Sequence, residues 1–214
     1  MHKFVHHSFP ALEQINTDGG RFYRTIEGNQ YPSVTTVLNS VPNPALAAWK
    51  AKLGSAADVI SKKAATRGTL IHERLESHIK GEPTEFTMFQ QAEKEMFTNM
   101  IPHLNKLGEI HALETRLYSD KLRVAGSVDC IAMIDGVLHV VDFKTSSRYK
   151  TADDIHSYFL QTAAYAMAFW ERTGLMVPRI RILMTTDDGS GVLVFDQDVK
   201  DWIPKFVEIR NKMS

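Results

Sequence analysis

Cysteine is almost absent from this chain of 214 residues, and its single occurrence is Cys130. One cysteine excludes a disulfide framework within the chain and any zinc or iron–sulfur site that needs four of its cysteines. Such scarcity is typical of proteins from a reducing compartment. We expect Cys130 to pack as a small apolar residue on one face of a strand.

Long hydrophobic runs are missing too. No stretch approaches the roughly 20 apolar residues of a membrane span, and the first ten residues lack the apolar core of a signal peptide. The sequence therefore predicts no membrane contact and a cytoplasmic protein, and a compact chain without a targeting segment is typical of a bacterium or a phage-infected cell.

The chain also lacks an excess of charge of either sign. Lys and Arg number 25, as do Asp and Glu, so the overall charge indicates no polyanionic partner. Locally, residues 50–74 hold six basic residues against two acidic ones. Such an excess is typical either of a surface that follows a phosphate backbone or of a solvated helix face.

The hydrophobic pattern predicts one α/β domain, and with 43% hydrophobic residues the chain can bury a full core. Residues 1–109 read mainly as helical elaboration and residues 110–214 as an αβ core. Helical spacing covers residues 33–40, 45–53, 56–80, 89–106, 154–172 and 199–212. Strand patterns cover an opening hairpin or loop at residues 22–31 with its turn at 27–29, a meander at residues 111–118, 122–134 and 137–144, and two strands at residues 179–185 and 191–195.

The dipeptide Asp135-Gly136 lies between two apolar runs of this meander. It is a strong hairpin signal, because the commonest two-residue β-turn needs positive φ at both central positions. Counting outward from the turn places Asp129 opposite Asp142. Two carboxylates would then lie about 5 Å apart on one face of the sheet.

Side-chain alternation puts Lys144 on the same face as these two aspartates. The opposite face takes the apolar side chains of Phe143, Val141 and Val128. Opposed like charges destabilise a sheet unless they are neutralised, and carboxylates with water suit Mg²⁺ or Mn²⁺. The alternative is that Asp129 ends a strand at the surface and Asp142 pairs with Lys144 in an exposed salt bridge. The apolar runs around both aspartates favour the metal, because a solvated charge is out of place there.

This arrangement of strands and helices resembles the PD-(D/E)XK nuclease superfamily, in particular its RecB-like exonuclease branch, which has mitochondrial and phage members. The second-strand motif is Gly126-Ser127-Val128-Asp129, and the third-strand motif is Asp142-Phe143-Lys144. The proline of the superfamily's name is absent, although this branch commonly lacks it. The resemblance implies a restriction-endonuclease-like α/β fold, with a central mixed β-sheet flanked by helices and an N-terminal helical elaboration.

The same resemblance implies roles for the strand residues. Asp129 and Asp142, with the carbonyl of Phe143, would hold Mg²⁺ or Mn²⁺, and Lys144 would orient or activate the attacking water. This agrees with general chemistry, because a metal lowers the pKa of bound water and an ammonium group stabilises the transition state.

The segment Arg67-Gly68-Thr69-Leu70-Ile71-His72-Glu73 resembles the helix whose histidine is an extra metal ligand in RecB-like nucleases. This makes His72 a candidate ligand and Arg67 a candidate DNA contact. Taken alone, a helical histidine beside an apolar stripe is more often structural. The chain has Glu76 where a zinc protease of the H-E-x-x-H type needs its second histidine, which excludes that class.

Gln161 and Tyr165 resemble the Gln-x-x-x-Tyr signature of the family, whose role is to contact DNA beside the site. Four residues apart, they share one face of a helix. The alternative is that this helix packs on the sheet through its alanines, with Tyr165 at its edge.

The sequence offers three further candidate site residues, and for Glu114 and Ser33 a structural role is the alternative. A tight turn near residues 120–121 would set Glu114 opposite Ser127, on the face of Asp129, where it would assist the metal or position water; otherwise it is a surface glutamate. The hydroxyl groups of Ser33 and Thr35 would contact phosphate, or Ser33 would simply cap a helix.

The resemblance therefore implies a Mg²⁺- or Mn²⁺-dependent enzyme that hydrolyses phosphodiester bonds of DNA. Its branch favours an exonuclease on single-stranded DNA or free ends, without an iron–sulfur cluster and with replication or recombination proteins as partners. The alternatives are a structure-selective or restriction-type endonuclease, an inactive DNA-binding module of such a complex, and a hydrolase of small phosphoesters.

Overall fold

A five-stranded mixed sheet lies at the centre of the protein, which is described from residue 2 to residue 213 by a computed structural model. Its strands follow the chain order from one edge to the other: β4 (Ile110–Ser119), β5 (Val124–Ile134), β6 (Val137–Ser146), β7 (Arg179–Thr186) and β8 (Val192–Asp198). The first three strands form the predicted antiparallel meander, β7 runs parallel to β6, and β8 returns antiparallel.

Helices cover both faces of this sheet. One face packs on α3 (Ser55–Lys80) and α4 (Gln91–Leu104), and the other packs on α5 (His156–Thr173) and α6 (Ile203–Asn211). Short 3₁₀ helices, Ala152–Ile155 and Val199–Asp201, precede α5 and α6. The predicted central mixed sheet flanked by helices is confirmed. No helix within residues 2–213 combines the length and apolar character needed to cross a membrane.

The N-terminal region begins with a second, three-stranded sheet before its helices. Its strands are β1 (Leu12–Thr17), β2 (Gly20–Thr25) and β3 (Gln30–Pro32), followed by α1 (Val34–Asn39) and α2 (Pro44–Leu53). Of the hairpin and the loop that the sequence left open here, the structure has the hairpin of β2 and β3. The sequence missed β1, because Leu12 is the only buried residue of that strand. The predicted helix at residues 45–53 begins one residue earlier, at Pro44, where a proline fits because no helical N–H is needed there.

The hairpin between β5 and β6 is confirmed. Ile134 pairs with Val137, and both turn residues have positive φ, 50° at Asp135 and 78° at Gly136. The ladder of this hairpin runs as far as Cys130 and Val141. The next positions along the two strands are those of Asp129 and Asp142.

The predicted register of β4 on β5 is wrong by two residues. Ser119 pairs with Val124, so the connection is a four-residue loop rather than a tight turn, and Arg116 rather than Glu114 lies opposite Ser127. The loop is wide because Glu171, from α5, accepts hydrogen bonds from the backbone N–H groups of Asp120 and Lys121. This shift by two keeps Glu114 on its predicted face and moves it to the position opposite Asp129.

The predicted placement of Val128 is also wrong. Val141 and Phe143 pack on the side of α3 and α4, as does Cys130, whereas Val128 packs on the side of α5. Since Val128 and Cys130 are two residues apart, the alternation of β5 changes phase between them. The change coincides with the positions of Glu114 and Asp129, which lie between the pairs Leu113–Cys130 and Thr115–Val128, and Glu114 has a positive φ of 45°.

Candidate active site

Three potential ligand groups from three different elements converge beside the sheet. His72 of α3, Glu114 of β4 and Asp129 of β5 each offer one donor atom, and these atoms all lie within 4.8 Å of one another. His72 Nδ1 lies 3.6 Å from Asp129 Oδ2 and 3.9 Å from Glu114 Oε1. The structure thus brings together two predicted ligands and the glutamate whose role the sequence left open.

The helix places His72 through its buried stripe. Ile71, Leu75 and Ile79 are almost completely buried between α3, α4 and the sheet. His72 directly follows Ile71, so its side chain lies at the edge of this buried stripe. Its ring packs edge-on against Phe143, with ring centroids 6.2 Å apart. The apolar stripe therefore orients the histidine towards the carboxylates.

Glu114 has an unusual backbone for a strand residue. Its φ of 45° lies in the left-handed region, which residues other than glycine adopt at a cost of about 1–3 kcal/mol. The side chain of Thr115 bonds locally to both backbone groups of Leu113, at 3.2 Å and 3.0 Å. Strained conformations of this kind cluster at functional sites, and here the strain occurs at the residue that faces Asp129.

Asp129 is fixed by the neighbouring strand. Its Oδ2 accepts a hydrogen bond of 2.8 Å from the backbone N–H of Phe143, in the gap where the β5–β6 ladder has ended. The side chain thus takes over a bond that a strand partner would otherwise make. This bond orients the carboxylate towards His72.

Asp142 and Lys144 form a buried ion pair next to this group, with Lys144 Nζ 2.5 Å from Asp142 Oδ2. Asp142 is only 2% exposed, and within residues 2–213 its Oδ2 has no hydrogen bond of regular geometry. Burial raises the pKa of Asp142; the charge of Lys144 opposes this, and that of Asp129 adds to it. The pKa of Lys144 is raised although burial works against its charge, because Asp142 and Asp129 outweigh the burial.

The same negative charges also change the pKa of His72. Burial works against its protonation, yet Asp129 and Glu114 outweigh this effect and raise the pKa of His72 to about 8. An excess of negative charge around a half-buried imidazole therefore defines the electrostatics of the site. A cation is the species that such a site attracts.

The donor set fits a hard divalent cation. It offers one imidazole nitrogen and carboxylates that face one another, together with a buried carboxylate oxygen whose hydrogen bonding is incomplete. A cleft of about 380 Å³ gives access from solvent and is lined by Gly68, Thr69, His72, Glu73, Glu76 and Glu114. Mg²⁺ and Mn²⁺ match these ligands, with Asp142 adjoining the group.

The two residues of the Gln-x-x-x-Tyr signature differ in their exposure to solvent. Gln161 is partly exposed, and its side-chain nitrogen lies 3.4 Å from the hydroxyl of Tyr165. Tyr165 is 4% exposed, and burial raises the pKa of its hydroxyl. Gln161 can reach a ligand beside the site, whereas Tyr165 lies within the core.

The remaining candidate DNA contacts are spread over two regions. Ser33 is buried and caps α1, its hydroxyl accepting a hydrogen bond from the backbone N–H of Thr36, while Thr35 is exposed. Arg67 forms an ion pair with Asp187 at the end of β7. Neither region belongs to the donor group around His72.

Tyr158 is a neighbour of the site that the sequence reasoning did not single out. Its ring faces Lys144, whose Nζ lies 4.9 Å from the ring centroid. The signal was present, because Tyr158 precedes Gln161 by three and Tyr165 by seven residues, and such spacing places all three on one helix face.

Comparison with known proteins agrees with this geometry. A model of the PD-(D/E)XK nuclease superfamily matches residues 81–201, which is more than half of the chain. The mitochondrial genome maintenance exonuclease 1 of Homo sapiens is 29% identical over 153 residues, covering 65% of this chain and 44% of that protein. This chain therefore spans less than half the length of that relative.

The crystal structure of SSO0001 is similar with a TM-score of 0.39 and 15% sequence identity, over 85% of this chain and 84% of that chain. This similarity is too low to add to the argument on fold. The family match covers β4 to β8 and α5, and so includes every strand residue of the site. The predicted family is confirmed: the chain belongs to the PD-(D/E)XK nuclease superfamily.

Proposed function

We propose that this nuclease is a DNA exonuclease that depends on Mg²⁺ or Mn²⁺ and prefers single strands or free ends. The observation that carries the proposal is the convergence of His72, Glu114 and Asp129 beside the buried pair of Asp142 and Lys144. The exonuclease relative supports attack from an end.

Each strand residue has a task in this proposal. Asp129, Asp142 and His72 hold the cation, with the Phe143 carbonyl and Glu114 as further ligands. When bound, the cation supplies water of lowered pKa and offsets negative charge on the phosphoryl oxygens. Lys144 brings a fixed positive charge to the negative charge that develops on the phosphate, in a site where few waters screen it.

Side-chain exposure supports a division of the DNA-contact candidates. We assign Gln161, Thr35 and Arg67 to the DNA strand, because Thr35 is exposed, Gln161 is partly exposed and Arg67 lines a surface cleft. Ser33 and Tyr165 support the fold beneath them. Ser33 already uses its hydroxyl in the cap of α1, and Tyr165 is enclosed by the core.

The charged groups of the site favour catalysis over an inactive binding module. A buried Asp142, an enclosed ammonium group and a strained Glu114 are all costly features. A protein that only binds DNA needs none of them, since surface lysines and arginines suffice for phosphate contacts.

The deciding experiment compares end-labelled linear single-stranded DNA with its circular form, in Mg²⁺, in Mn²⁺ and in EDTA. Wild type is tested beside Lys144→Ala and, as a control, Lys200→Ala, which removes an exposed lysine of the 3₁₀ helix that follows β8. We expect metal-dependent loss of the linear strand alone, abolished in Lys144→Ala and kept in Lys200→Ala. Cleavage of the circle would replace the exonuclease by an endonuclease, and binding without cleavage of either DNA would indicate the inactive module.

A further inference from the structure

We propose that Tyr158 is a positioning residue for Lys144, and that its ring holds the ammonium group in place on the side not covered by Asp142. This inference rests on the proposed function of the site. It adds a residue outside the strand motifs and outside the Gln-x-x-x-Tyr signature.

The contact itself has the geometry of a cation–π interaction. Lys144 Nζ lies 4.9 Å from the centroid of the Tyr158 ring, within the roughly 6 Å over which a ring quadrupole attracts a cation. The side chain of Lys144 is 19% exposed, so little water competes for the ammonium group. Asp142 and Tyr158 therefore both help to define where Nζ lies.

The backbone of Tyr158 is itself held firmly. Its neighbours Ile155 and Phe159 are buried, and the ring of Phe159 packs on Trp202 with centroids 4.8 Å apart. The carbonyl of Tyr158 accepts a hydrogen bond of 2.8 Å from the hydroxyl of Thr162. A ring on such a rigid turn can fix a flexible lysine, because the ring loses little freedom in doing so.

The need for this contact follows from the position of Asp142. A carboxylate that also serves as a metal ligand can give an ammonium group only part of its charge. A lysine side chain loses much rotamer entropy when it is held in one place, so one shared anion restrains it weakly. The ring of Tyr158 is a neutral partner, and it does not compete with Lys144 for the other carboxylates.

Three variants test the role in catalysis on linear single-stranded DNA. Tyr158→Leu removes the ring, and we expect kcat to fall about tenfold with little change in KM. Tyr158→Phe keeps the ring face and should recover most of the rate. Trp170→Leu is the control, because it removes the ring beneath Lys121, 4.3 Å from its Nζ, at another place on α5; its rate should equal that of wild type.

A second readout does not depend on activity. A ring 4.9 Å from Nζ should shift the Hε protons of Lys144 upfield in the NMR spectrum, with Lys144→Arg used for assignment. We expect this shift in wild type and in Tyr158→Phe, and its loss in Tyr158→Leu. A wild-type Hε resonance at the usual lysine position would overturn the proposal, as would equal kcat values for Tyr158→Leu and wild type. If wild type cuts no DNA, the proposed function fails, while the NMR shift still decides whether Tyr158 positions Lys144.

Discussion

Tyr165 reaches beneath β5 so closely that a Cβ on Gly126 would lie 2.7 Å from its hydroxyl oxygen and 2.9 Å from its ring. Gly126 stands three residues before Asp129 on the same strand. A tyrosine from α5 thus supports the strand that carries a site carboxylate, and the glycine makes room for it. Gly126 of the second-strand motif and Tyr165 of the Gln-x-x-x-Tyr signature therefore pack directly against each other.

Gly126→Ala should therefore destabilise the fold. Overpacking of this kind typically costs about 1–3 kcal/mol, because the neighbouring ring must shift. Urea unfolding measures the change in the free energy of unfolding. Gly19→Ala is the matched control, since its Cβ would meet only the Thr17 hydroxyl at an ordinary 3.6 Å. Equal stability of the two variants would show that Tyr165 moves aside without cost.

Glu114→Gln should weaken metal binding, because Glu114 lies in the donor group with His72 and Asp129. Removing even a residue that only supports a ligand costs about tenfold to a hundredfold in affinity, so we expect a loss of at least about tenfold. Calorimetric titration with Mn²⁺ gives this value directly. Glu73→Gln serves as the control, since Glu73 lines the same cleft but stands outside the group. A loss of the same size in both variants would mean that only the general charge of the cleft matters.

Local patterns predicted much of the fold and the site. Asp135-Gly136 determined the β5–β6 hairpin, because its turn needs only the two residues themselves, and the position of Asp142 relative to Asp129 followed from that turn. The stripe of Ile71, Leu75 and Ile79 likewise indicated α3 and hence the side on which His72 lies.

The features that the sequence did not predict depend on contacts between residues that are distant in the chain. The β4–β5 register depends on Glu171, which binds the loop from about fifty positions away. The phase change at Val128 lies beside the irregular backbone of Glu114, which no pattern of hydrophobic residues encodes. The burial of Tyr165 depends on the space above Gly126, and a helical spacing alone cannot distinguish a buried tyrosine from an exposed one.

Gln161→Ala should weaken DNA binding without changing metal affinity. Its amide is partly exposed beside the site and makes only a long contact of 3.4 Å with Tyr165, so it is available to a phosphate oxygen. Loss of one such hydrogen bond corresponds to about threefold to tenfold in affinity. Fluorescence anisotropy in a Lys144→Ala background measures binding without cleavage, with Gln91→Ala, at the exposed start of α4, as the control. Weaker Mn²⁺ binding with unchanged DNA affinity would assign Gln161 to the metal instead.

The N-terminal segment is held against β4 by a pair of histidines. His7 Nε2 lies 3.0 Å from His111 Nδ1, and the two rings stack with centroids 5.3 Å apart. Beside them, the backbone N–H of Val5 donates to the carbonyl of Ile110 at 2.8 Å. One neutral ring donates to the other, and two protonated rings cannot, because neither then has a free lone pair.

Acid should therefore release this segment. Burial and the nearby His7 lower the pKa of His111 below its usual 6.5, so the unfolded or undocked chain binds more protons in this range. The docked state is favoured above the usual pKa and loses its advantage as the pH falls below it. Lys3 lowers the pKa of Glu109, so their ion pair stays charged between pH 7 and pH 5 and does not cause the change.

Hydrogen exchange of the Val5 amide tests this, after correction for the intrinsic exchange rate. We expect its protection in wild type to fall several-fold between pH 7 and pH 5, and to fall much less in His111→Gln, whose side chain does not titrate. The remaining change comes from His2 of the same segment, because burial lowers its pKa as well. His6→Gln is the matched control, because His6 is an exposed histidine of the same segment. It should keep the wild-type pH dependence. A fall of the same size in His111→Gln would place the titrating group elsewhere, since the pair of His7 and His111 no longer exists in that variant.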